Sequence, residues 1–363
     1  MSELSALVSE LLRDVDAYTV PSPADRDARA KLDANESPFP LPPEIRAELA
    51  RHLAAAEIHR YPDPAHHDLR ALVAGELEIA PGRLAFGHGS NELVVQLCQA
   101  YSRPRDGAAR AAVLYPAPSF VYYRSAALAA GVEPFEVDLT PDFQLDIDML
   151  ARGIANHRPN IIFFARPNNP TGTLWSRDAI EQTITDHPDT MIVVDEAYIE
   201  FGGDSFVDLL PALPNLVLLR TFSKVGLAGL RIGYLAASPD IVGEIGKVCP
   251  PYNIGILNQL AAEYLLANHR DLLLLRATAV AAERDRLFDS LSEMAHLTVY
   301  ESAANMLLIC LADAEHVWRE LGTRGIRVRR FPGHKRLDPY IRVTVGTPEE
   351  NALFLDALQE ILG

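Results

Sequence analysis

Residues 161–172 read IIFFARPNNPTG, and this stretch determines the fold class. The first five residues are apolar without alternation, as in a strand that is buried on both faces. The remainder combines prolines, asparagines and a glycine in a turn directly after that strand. A buried strand followed by a polar turn is typical of a parallel sheet that binds a ligand at its strand ends.

Three further apolar runs repeat this pattern, at residues 112–115, 191–194 and 216–219. Residues 92–101 and 177–186 have helical spacing and supply the crossovers that parallel strands require. The sequence therefore predicts an α/β fold in which helices flank a mostly parallel central sheet.

The 363 residues exceed the usual length of one domain. Residues 1–40 contain prolines that favour an irregular N-terminal arm. We predict a large α/β domain over residues 41–258, a long connecting helix over 259–292 and a small α+β domain over 293–363.

The composition argues against several classes of protein. A formal charge of −16 disfavours binding to nucleic acid or anionic membranes. The three cysteines are far apart and form no C-x-x-C pair, so we expect neither a disulfide framework nor a metal site. The N-terminus lacks the pattern of a signal peptide, and no apolar run approaches the roughly 20 residues of a membrane span. We expect a soluble, cytoplasmic protein.

Four polar motifs follow the predicted strands. They are RPNNPTG at 166–172, DEAY at 195–198, TFSK at 221–224 and LAGLRIG at 227–233. Taken singly, Asn169 suits a turn, Asp195 a helix cap and Lys224 an ordinary exposed lysine. Taken together, they place an amide, a carboxylate and an amine at the edge of the sheet where open α/β folds bind ligands.

In this order and spacing, the motifs resemble those of fold-type I pyridoxal-phosphate enzymes in the class I/II aminotransferase superfamily, and within it the histidinol-phosphate aminotransferases. The resemblance extends from LDANESP at 32–38 to RVTVGT at 342–347. It implies that pyridoxal 5'-phosphate is held as an imine on Lys224 and that Asp195 contacts its pyridine nitrogen. The resemblance also implies that Asn169 and Tyr198 bond the phenolic oxygen. It assigns the phosphate to Thr221, Ser223 and Arg231.

The chemistry of such a cofactor requires these residue types. A carboxylate beside the pyridine nitrogen favours its charged, protonated form. The protonated ring then accepts the electrons that remain when the substrate loses its α-proton. Lys224, freed from the imine, is expected to carry that proton as a general acid and base.

The segment GHGSNE at 87–92 enters a predicted helix. Glu92 occupies the third glycine position of a dinucleotide fingerprint, which excludes that motif. A glycine-rich turn at a helix N-terminus attracts phosphate, although a plain helix start is the alternative. The resemblance assigns Gly89, Ser90 and Asn91 to the cofactor phosphate.

Two aromatic motifs complete the expected cofactor site. The turn at Pro118 to Phe120 implies, by resemblance, that Phe120 stacks on the pyridine ring, with Tyr122 and Tyr123 as alternatives. Tyr61, in RYPD at 60–63, is implied to reach the cofactor phosphate of a neighbouring subunit. We therefore expect a homodimer with shared active sites, although a surface turn also explains the RYPD motif.

Arg329 and Arg342 lie 13 residues apart on two predicted strands. Their guanidinium groups could converge on one anion, the carboxylate of glutamate or the phosphate of histidinol phosphate. Residues 327–336 form a basic segment. The resemblance selects Arg329 from this segment, and Arg327 and Arg330 are the alternatives. It adds Tyr18 and Asn35, together with Asn169, as substrate contacts.

The resemblance implies an aminotransferase of histidine biosynthesis. Its substrates would be L-glutamate and imidazole-acetol phosphate, and its products 2-oxoglutarate and L-histidinol phosphate. A sibling of the same fold is one alternative, either an aromatic amino-acid aminotransferase or a threonine-phosphate decarboxylase. A non-catalytic, cofactor-binding regulatory protein is another, but the presence of Lys224 and the two arginines argues against it.

Overall fold

A computed structural model of the chain describes residues 7–13, 15 and 28–363. The strands are β1 (Ala30–Leu32), β2 (Leu84–His88), β3 (Ala112–Ala117), β4 (Glu133–Asp138), β5 (Ile161–Ala165), β6 (Met191–Asp195), β7 (Leu216–Thr221), β8 (Ile232–Ala236), β9 (Leu297–Val299), β10 (Met306–Leu311), β11 (Ile326–Arg330) and β12 (Tyr340–Thr344). The helices are α1 (Pro43–Leu53), α2 (His67–Leu77), α3 (Ser90–Ala100), α4 (Tyr122–Ala129), α5 (Ile147–His157), α6 (Arg177–Asp186), α7 (Pro239–Val248), α8 (Ile256–Ser292), α9 (Ala314–Thr323) and α10 (Pro348–Leu362).

The central sheet has seven strands in the order β2-β8-β7-β6-β5-β3-β4. Strands β3 to β7 pair in parallel, and β8 is antiparallel to both of its neighbours. The predicted mostly parallel α/β sheet is confirmed. Strands β5 and β6 are buried at every position because the sheet has a hydrophobic core on each face. Ile162 and Phe164 pack into one core, and Ile161 and Phe163 pack into the other.

A second sheet, the C-terminal sheet, has five strands in the order β1-β11-β12-β10-β9. Strand β1 pairs in parallel with β11, which brings the end of the predicted N-terminal arm into the C-terminal sheet. The arm was expected to be irregular, but Ala30 and Leu32 are buried here while Lys31 is exposed. This alternation is typical of a strand with one buried face. The division of the chain into four parts stays a prediction.

Helix α8, Ile256–Ser292, is 37 residues long and extends from the central sheet to the C-terminal sheet. It bends at His269, whose φ of −136° departs from helical geometry. Its first part packs against α1 and α2, and Leu287 and Leu291 near its end belong to the core of the C-terminal sheet. No helix in the described part of the chain is both long and apolar enough to cross a membrane.

Candidate active site

A cavity of about 280 Å³ lies at the carboxyl ends of β5, β6 and β7, facing the C-terminal sheet. This is the edge at which parallel strands place ligands. Thirteen of the residues predicted for the site line the cavity together. They are Asn35, Ser90, Asn91, Phe120, Asn169, Asp195, Tyr198, Thr221, Ser223, Lys224, Arg231, Arg329 and Arg342.

Two other predicted residues, within the part of the chain that the structure describes, do not line it. Gly89 lies just outside the cavity wall, beside the guanidinium group of Arg231. Tyr61 is 78% exposed and stacks on Tyr252, with 4.4 Å between the ring centroids. Tyr18 lies outside the described residues.

Asp195 ends β6 and is buried. Its Oδ2 accepts a hydrogen bond from the Tyr123 hydroxyl at 2.7 Å, and its Oδ1 accepts one from the Ala197 N–H at 3.1 Å. Burial raises the pKa of Asp195 to about 6, although both hydrogen bonds and the charge of Lys224 oppose that rise. The site therefore holds a carboxylate that is fixed in orientation and shielded from water.

The three aromatic candidates differ in how their rings are placed. Tyr123 is fully buried and stacks on Phe163 at 4.7 Å, so its faces are not free for a ligand. Phe120 lines the cavity, and Tyr122 does not. Of the three, Phe120 is the ring available to pack against a bound aromatic group.

Lys224 lies in the tight turn Ser223–Leu227 that follows β7. Its ammonium group is 5.6 Å from the ring centroid of Tyr198. Within the described chain no hydrogen bond or ion pair holds this ammonium group. Lys224 is therefore available to react with a ligand in the cavity.

The N-terminus of α3 contacts β8 at one corner of the cavity. A Cβ atom on Gly233 would come within 2.3 Å of the Ser90 nitrogen, so only glycine allows this close approach. Gly89, at φ +76°, leaves space for Arg231, whose Nη2 would lie 2.5 Å from a Cβ at that position. At the same corner, the Thr221 hydroxyl donates to Ser223 Oγ at 2.9 Å. A helix N-terminus beside hydroxyls and a guanidinium group is a phosphate-binding arrangement.

The opposite wall carries two arginines. Arg329 of β11 and Arg342 of β12 are directly paired in register, so both side chains are on the same face of the C-terminal sheet. Arg342 donates to Asn169 Oδ1 and to the carbonyl of Asp33, each at 2.7 Å. Arg327 is instead opposite Lys31 of β1 in the strand register and does not line the cavity.

Arg330, the remaining candidate in the basic segment, forms ion pairs elsewhere. Its guanidinium group lies 3.2 Å from a carboxylate oxygen of Glu315 and 3.4 Å from one of Asp338. Of the three candidate arginines in the basic segment, Arg329 is thus the one that lines the cavity.

The model of the family described as aminotransferase class I and II matches residues 29–358. The chain belongs to this family. It is 39% identical to a histidinol-phosphate aminotransferase of Chromobacterium violaceum over 355 residues, which cover 97% of each protein. It is 42% identical to histidinol-phosphate aminotransferase 1 of Carboxydothermus hydrogenoformans over 335 residues, covering 92% of this chain and 93% of that protein.

Solved structures agree with this fold. The histidinol-phosphate aminotransferase of Sinorhizobium meliloti, in complex with pyridoxal-5'-phosphate, superimposes with a TM-score of 0.84 at 26% identity. The superposition covers 98% of this chain and 97% of that one. The L-threonine-O-3-phosphate decarboxylase of Porphyromonas gingivalis shares the fold at a TM-score of 0.77 and 24% identity, covering 92% of this chain and 99% of that one.

Several residues of this aminotransferase site were missed in the sequence. Tyr123 was considered only as a stacking ring, yet its hydroxyl bonds Asp195. Asn168, the first residue of the Asn-Asn pair, is fully buried and accepts from Ser119 Oγ at 2.7 Å. Its amide donates to the Pro118 carbonyl at 3.0 Å and so fixes the turn that carries Phe120. The doubled asparagine in RPNNPTG was the available signal.

The C-terminal sheet is joined to the central sheet inside the site. Asn35, in a left-handed conformation with φ 53°, donates from its side-chain amide to the Tyr198 hydroxyl at 2.9 Å. Its Oδ1 accepts from the Thr344 hydroxyl at 3.0 Å. The position of Tyr198 therefore depends on residues from both ends of the chain.

The cavity is locally basic although the chain is acidic. Lys224, Arg231, Arg329 and Arg342 line it together with the carboxylates of Asp33 and Asp195. In the described part of the chain, no group of His, Cys, Asp and Glu residues is arranged to hold a metal ion. The phosphate-binding corner, the ring of Phe120, the buried carboxylate and the amine fit an anionic aromatic cofactor that carries a reactive carbonyl.

Proposed function

We propose that this chain is a histidinol-phosphate aminotransferase that binds pyridoxal 5'-phosphate covalently through Lys224. One observation carries the proposal. A single cavity contains the amine of Lys224, which has no ion pair among the described residues, the buried carboxylate of Asp195 and, on the opposite wall, the arginine pair Arg329 and Arg342. The curated relatives at about 40% identity over nearly the whole chain support the choice of substrates.

We assign the cofactor contacts by chemical type. Asp195 would contact the pyridine nitrogen, and Asn169 and Tyr198 would contact the phenolic oxygen. Phe120 packs on the ring. The phosphate is bound by Gly89, Ser90, Asn91, Thr221, Ser223 and Arg231, which lie around the N-terminus of α3.

When bound, the cofactor supplies an electron sink for the carbanion that forms at the substrate's Cα. The Asp195 carboxylate keeps the pyridine nitrogen protonated. Lys224 Nζ, which lines the same cavity, would remove the proton from Cα of glutamate. In the return half-reaction the same Nζ delivers a proton to the corresponding carbon of imidazole-acetol phosphate. The products are 2-oxoglutarate and L-histidinol phosphate.

The arginine pair accounts for the use of two different anions. Arg342 and Arg329 can bind a carboxylate of glutamate in one half-reaction and the phosphate of the histidinol compound in the other. Asn35 and Asn169 add polar contacts beside them. We assign Tyr18, outside the described residues, to the same substrate.

We further propose that the enzyme is a cytoplasmic homodimer. Tyr61 is exposed on each chain, and stacking on Tyr252 holds its ring. In a dimer this ring would contact the cofactor phosphate of the neighbouring subunit. A large exposed aromatic residue beside a second one is typical of an interface.

The test is an assay of purified enzyme with glutamate as amino donor. We expect rapid turnover with imidazole-acetol phosphate and slower turnover with phenylpyruvate. Threonine phosphate, offered alone, should release no carbon dioxide. Preference for phenylpyruvate would identify an aromatic aminotransferase, and carbon dioxide release a decarboxylase. Absence of every activity in the cofactor-loaded protein would support a binding protein.

A further inference from the structure

The loop at residues 331–339 connects β11 to β12 and so lies between the strands that carry Arg329 and Arg342. Phe331 and Leu337 of this loop line the cavity. The loop therefore belongs to the cavity wall that carries the arginine pair.

Arg336 extends from this loop to the central sheet. Its Nη1 donates to the carbonyl of Ala117 and its Nη2 to the carbonyl of Thr140, each at 3.0 Å. Nη1 also lies 3.4 Å from Oδ1 of Asp138. Ala117 ends β3 and Asp138 ends β4, so one guanidinium group binds the carboxyl ends of two adjacent strands.

One of these acceptors, Ala117, lies next in the chain to the cofactor side of the cavity, the wall that carries Ser119 and Phe120. Ala117 is followed by Pro118, Ser119 and Phe120, and both Ser119 and Phe120 line the cavity. Arg336 thus joins the wall that carries the arginine pair to the wall that carries Phe120. A planar guanidinium group with donors in a fixed fork suits two separate carbonyls better than an ammonium group does.

Apolar packing accompanies this polar link. The ring of Phe143 lies 5.9 Å from the Arg336 guanidinium carbon. The same ring contacts Tyr300, the residue after β9, and Tyr340 of β12 at centroid distances of 5.1 and 5.6 Å. Because these rings pack without Arg336, its removal should free the loop while the two sheets remain associated.

We propose that Arg336 is a positioning residue that sets the distance between the Arg329 and Arg342 pair and the cofactor side of the cavity. Without Arg336, the freed loop would no longer fix the positions of Arg329 and Arg342. Substrate binding would then have to order these two side chains, and the affinity for substrate would fall. The effect applies to both substrates because both use the same pair. This inference rests on the proposed function.

The chain offers a matched control in Arg105. Its Nη2 donates to the carbonyls of Pro159 and Asp189 at 3.0 and 2.7 Å, and its Nη1 lies 2.6 Å from Oδ2 of Asp189. These contacts have the same chemistry and similar exposure, 20% for the Arg105 side chain against 28% for Arg336. Arg105, however, binds at the amino ends of β5 and β6, the edge opposite the cavity.

The experiment compares cofactor-loaded wild type, Arg336→Met, Arg336→Lys and Arg105→Met. Steady-state kinetics give KM and kcat for glutamate and for imidazole-acetol phosphate. Calorimetry gives the Kd of 2-oxoglutarate, which has no amino group and so binds the loaded enzyme without reacting. Visible absorbance and thermal unfolding check the cofactor and the fold.

We expect Arg336→Met to raise both KM values and the Kd of 2-oxoglutarate by about 10-fold, with unchanged cofactor absorbance. Arg336→Lys should lie between this variant and the wild type, and Arg105→Met should bind normally even if it unfolds earlier. Normal binding in Arg336→Met, or equal weakening in Arg105→Met, would overturn the inference. If Arg336→Met does not fold, Arg336→Lys is judged by the same criterion. Absence of wild-type turnover would contradict only the proposed function, because the Kd of 2-oxoglutarate still tests Arg336.

Discussion

The hydroxyl of Tyr123 donates a hydrogen bond of 2.7 Å to Oδ2 of Asp195, and neither residue is open to solvent. The Tyr123 ring is fixed by stacking on Phe163 and by an edge contact with Phe120 at 5.5 Å. Asp195 therefore receives its orientation from the first turn of α4. The same contact favours the ionised carboxylate, because the hydrogen bond stabilises the charged form.

Replacing Tyr123 with phenylalanine should shift the pH dependence of the reaction. Without the hydroxyl, the pKa of Asp195 rises further above about 6. A hydrogen bond to a charged group contributes about 1.5–3 kcal/mol, so the acid limb of kcat/KM should move up by about one to two pH units. The measurement is kcat/KM between about pH 5 and 9, a range that includes the Asp195 pKa of about 6 and the expected upward shift.

Tyr115→Phe is the matched control for that variant. The Tyr115 hydroxyl donates to Glu136 Oε1 at 2.9 Å, and its ring is tilted against that of Tyr123 at 5.9 Å. Both substitutions remove one buried hydroxyl from the same aromatic cluster. An acid limb that moves equally in the two variants would show that loss of packing, and not the bond to Asp195, is responsible.

The pKa of Asp195 also predicts how the cofactor-free protein responds to pH. Its ordinary value of 3.8 is raised to about 6 by burial, so the native state favours the protonated carboxyl. The contribution of neutral Asp195 is complete below about pH 4 and is lost as the pH rises through about 6. Asp195→Asn mimics the neutral form, and at pH 7 it should be more stable than wild type by about 3 kcal/mol.

Urea unfolding of the cofactor-free wild type and Asp195→Asn at several pH values measures this difference. The gap in the free energy of unfolding should be small at low pH and should widen towards neutral pH. A gap that stays constant with pH would mean that Asp195 is not the titrating group.

Lys224→Ala should abolish turnover and the absorbance of the lysine-bound cofactor. Thermal stability without cofactor should change little, because Lys224 makes no hydrogen bond or ion pair in the described chain and only lies over the Tyr198 ring. The control is Lys247→Ala, which removes an exposed lysine paired with Glu244 at 2.6 Å. An unchanged spectrum in Lys224→Ala would refute the covalent assignment.

Much of this site was predictable because local signals and topology agree. The apolar runs that became β5 and β6 predict parallel strands, and parallel strands bring their carboxyl ends to one edge. Asp195, directly at the end of β6, therefore had to lie near that edge. Lys224 follows β7 in the same way.

Other features depend on contacts that no local pattern contains. β1 is only three residues long and pairs Ala30 with Ile326, 296 positions later. The alternation of side chains along a strand predicts that Arg327 and Arg329 lie on the same side of β11. Only the strand register distinguishes them, because Arg329 is opposite Arg342 and Arg327 is opposite Lys31. The bond from Tyr123 to Asp195 depends on how α4 packs against β6, which the motif does not encode.

The last prediction concerns the arginine pair. Arg342→Ala removes the donors to Asn169 Oδ1 and to the Asp33 carbonyl and leaves a buried gap beside the substrate. Truncating a buried charged partner costs about 2–5 kcal/mol, so kcat/KM should fall by about 100-fold for glutamate and for imidazole-acetol phosphate alike. Arg330→Ala, which removes only the ion pairs to Glu315 and Asp338, should keep wild-type kinetics. Loss with one substrate alone would mean that the carboxylate and the phosphate bind at different places, with Arg329 serving the substrate that is spared.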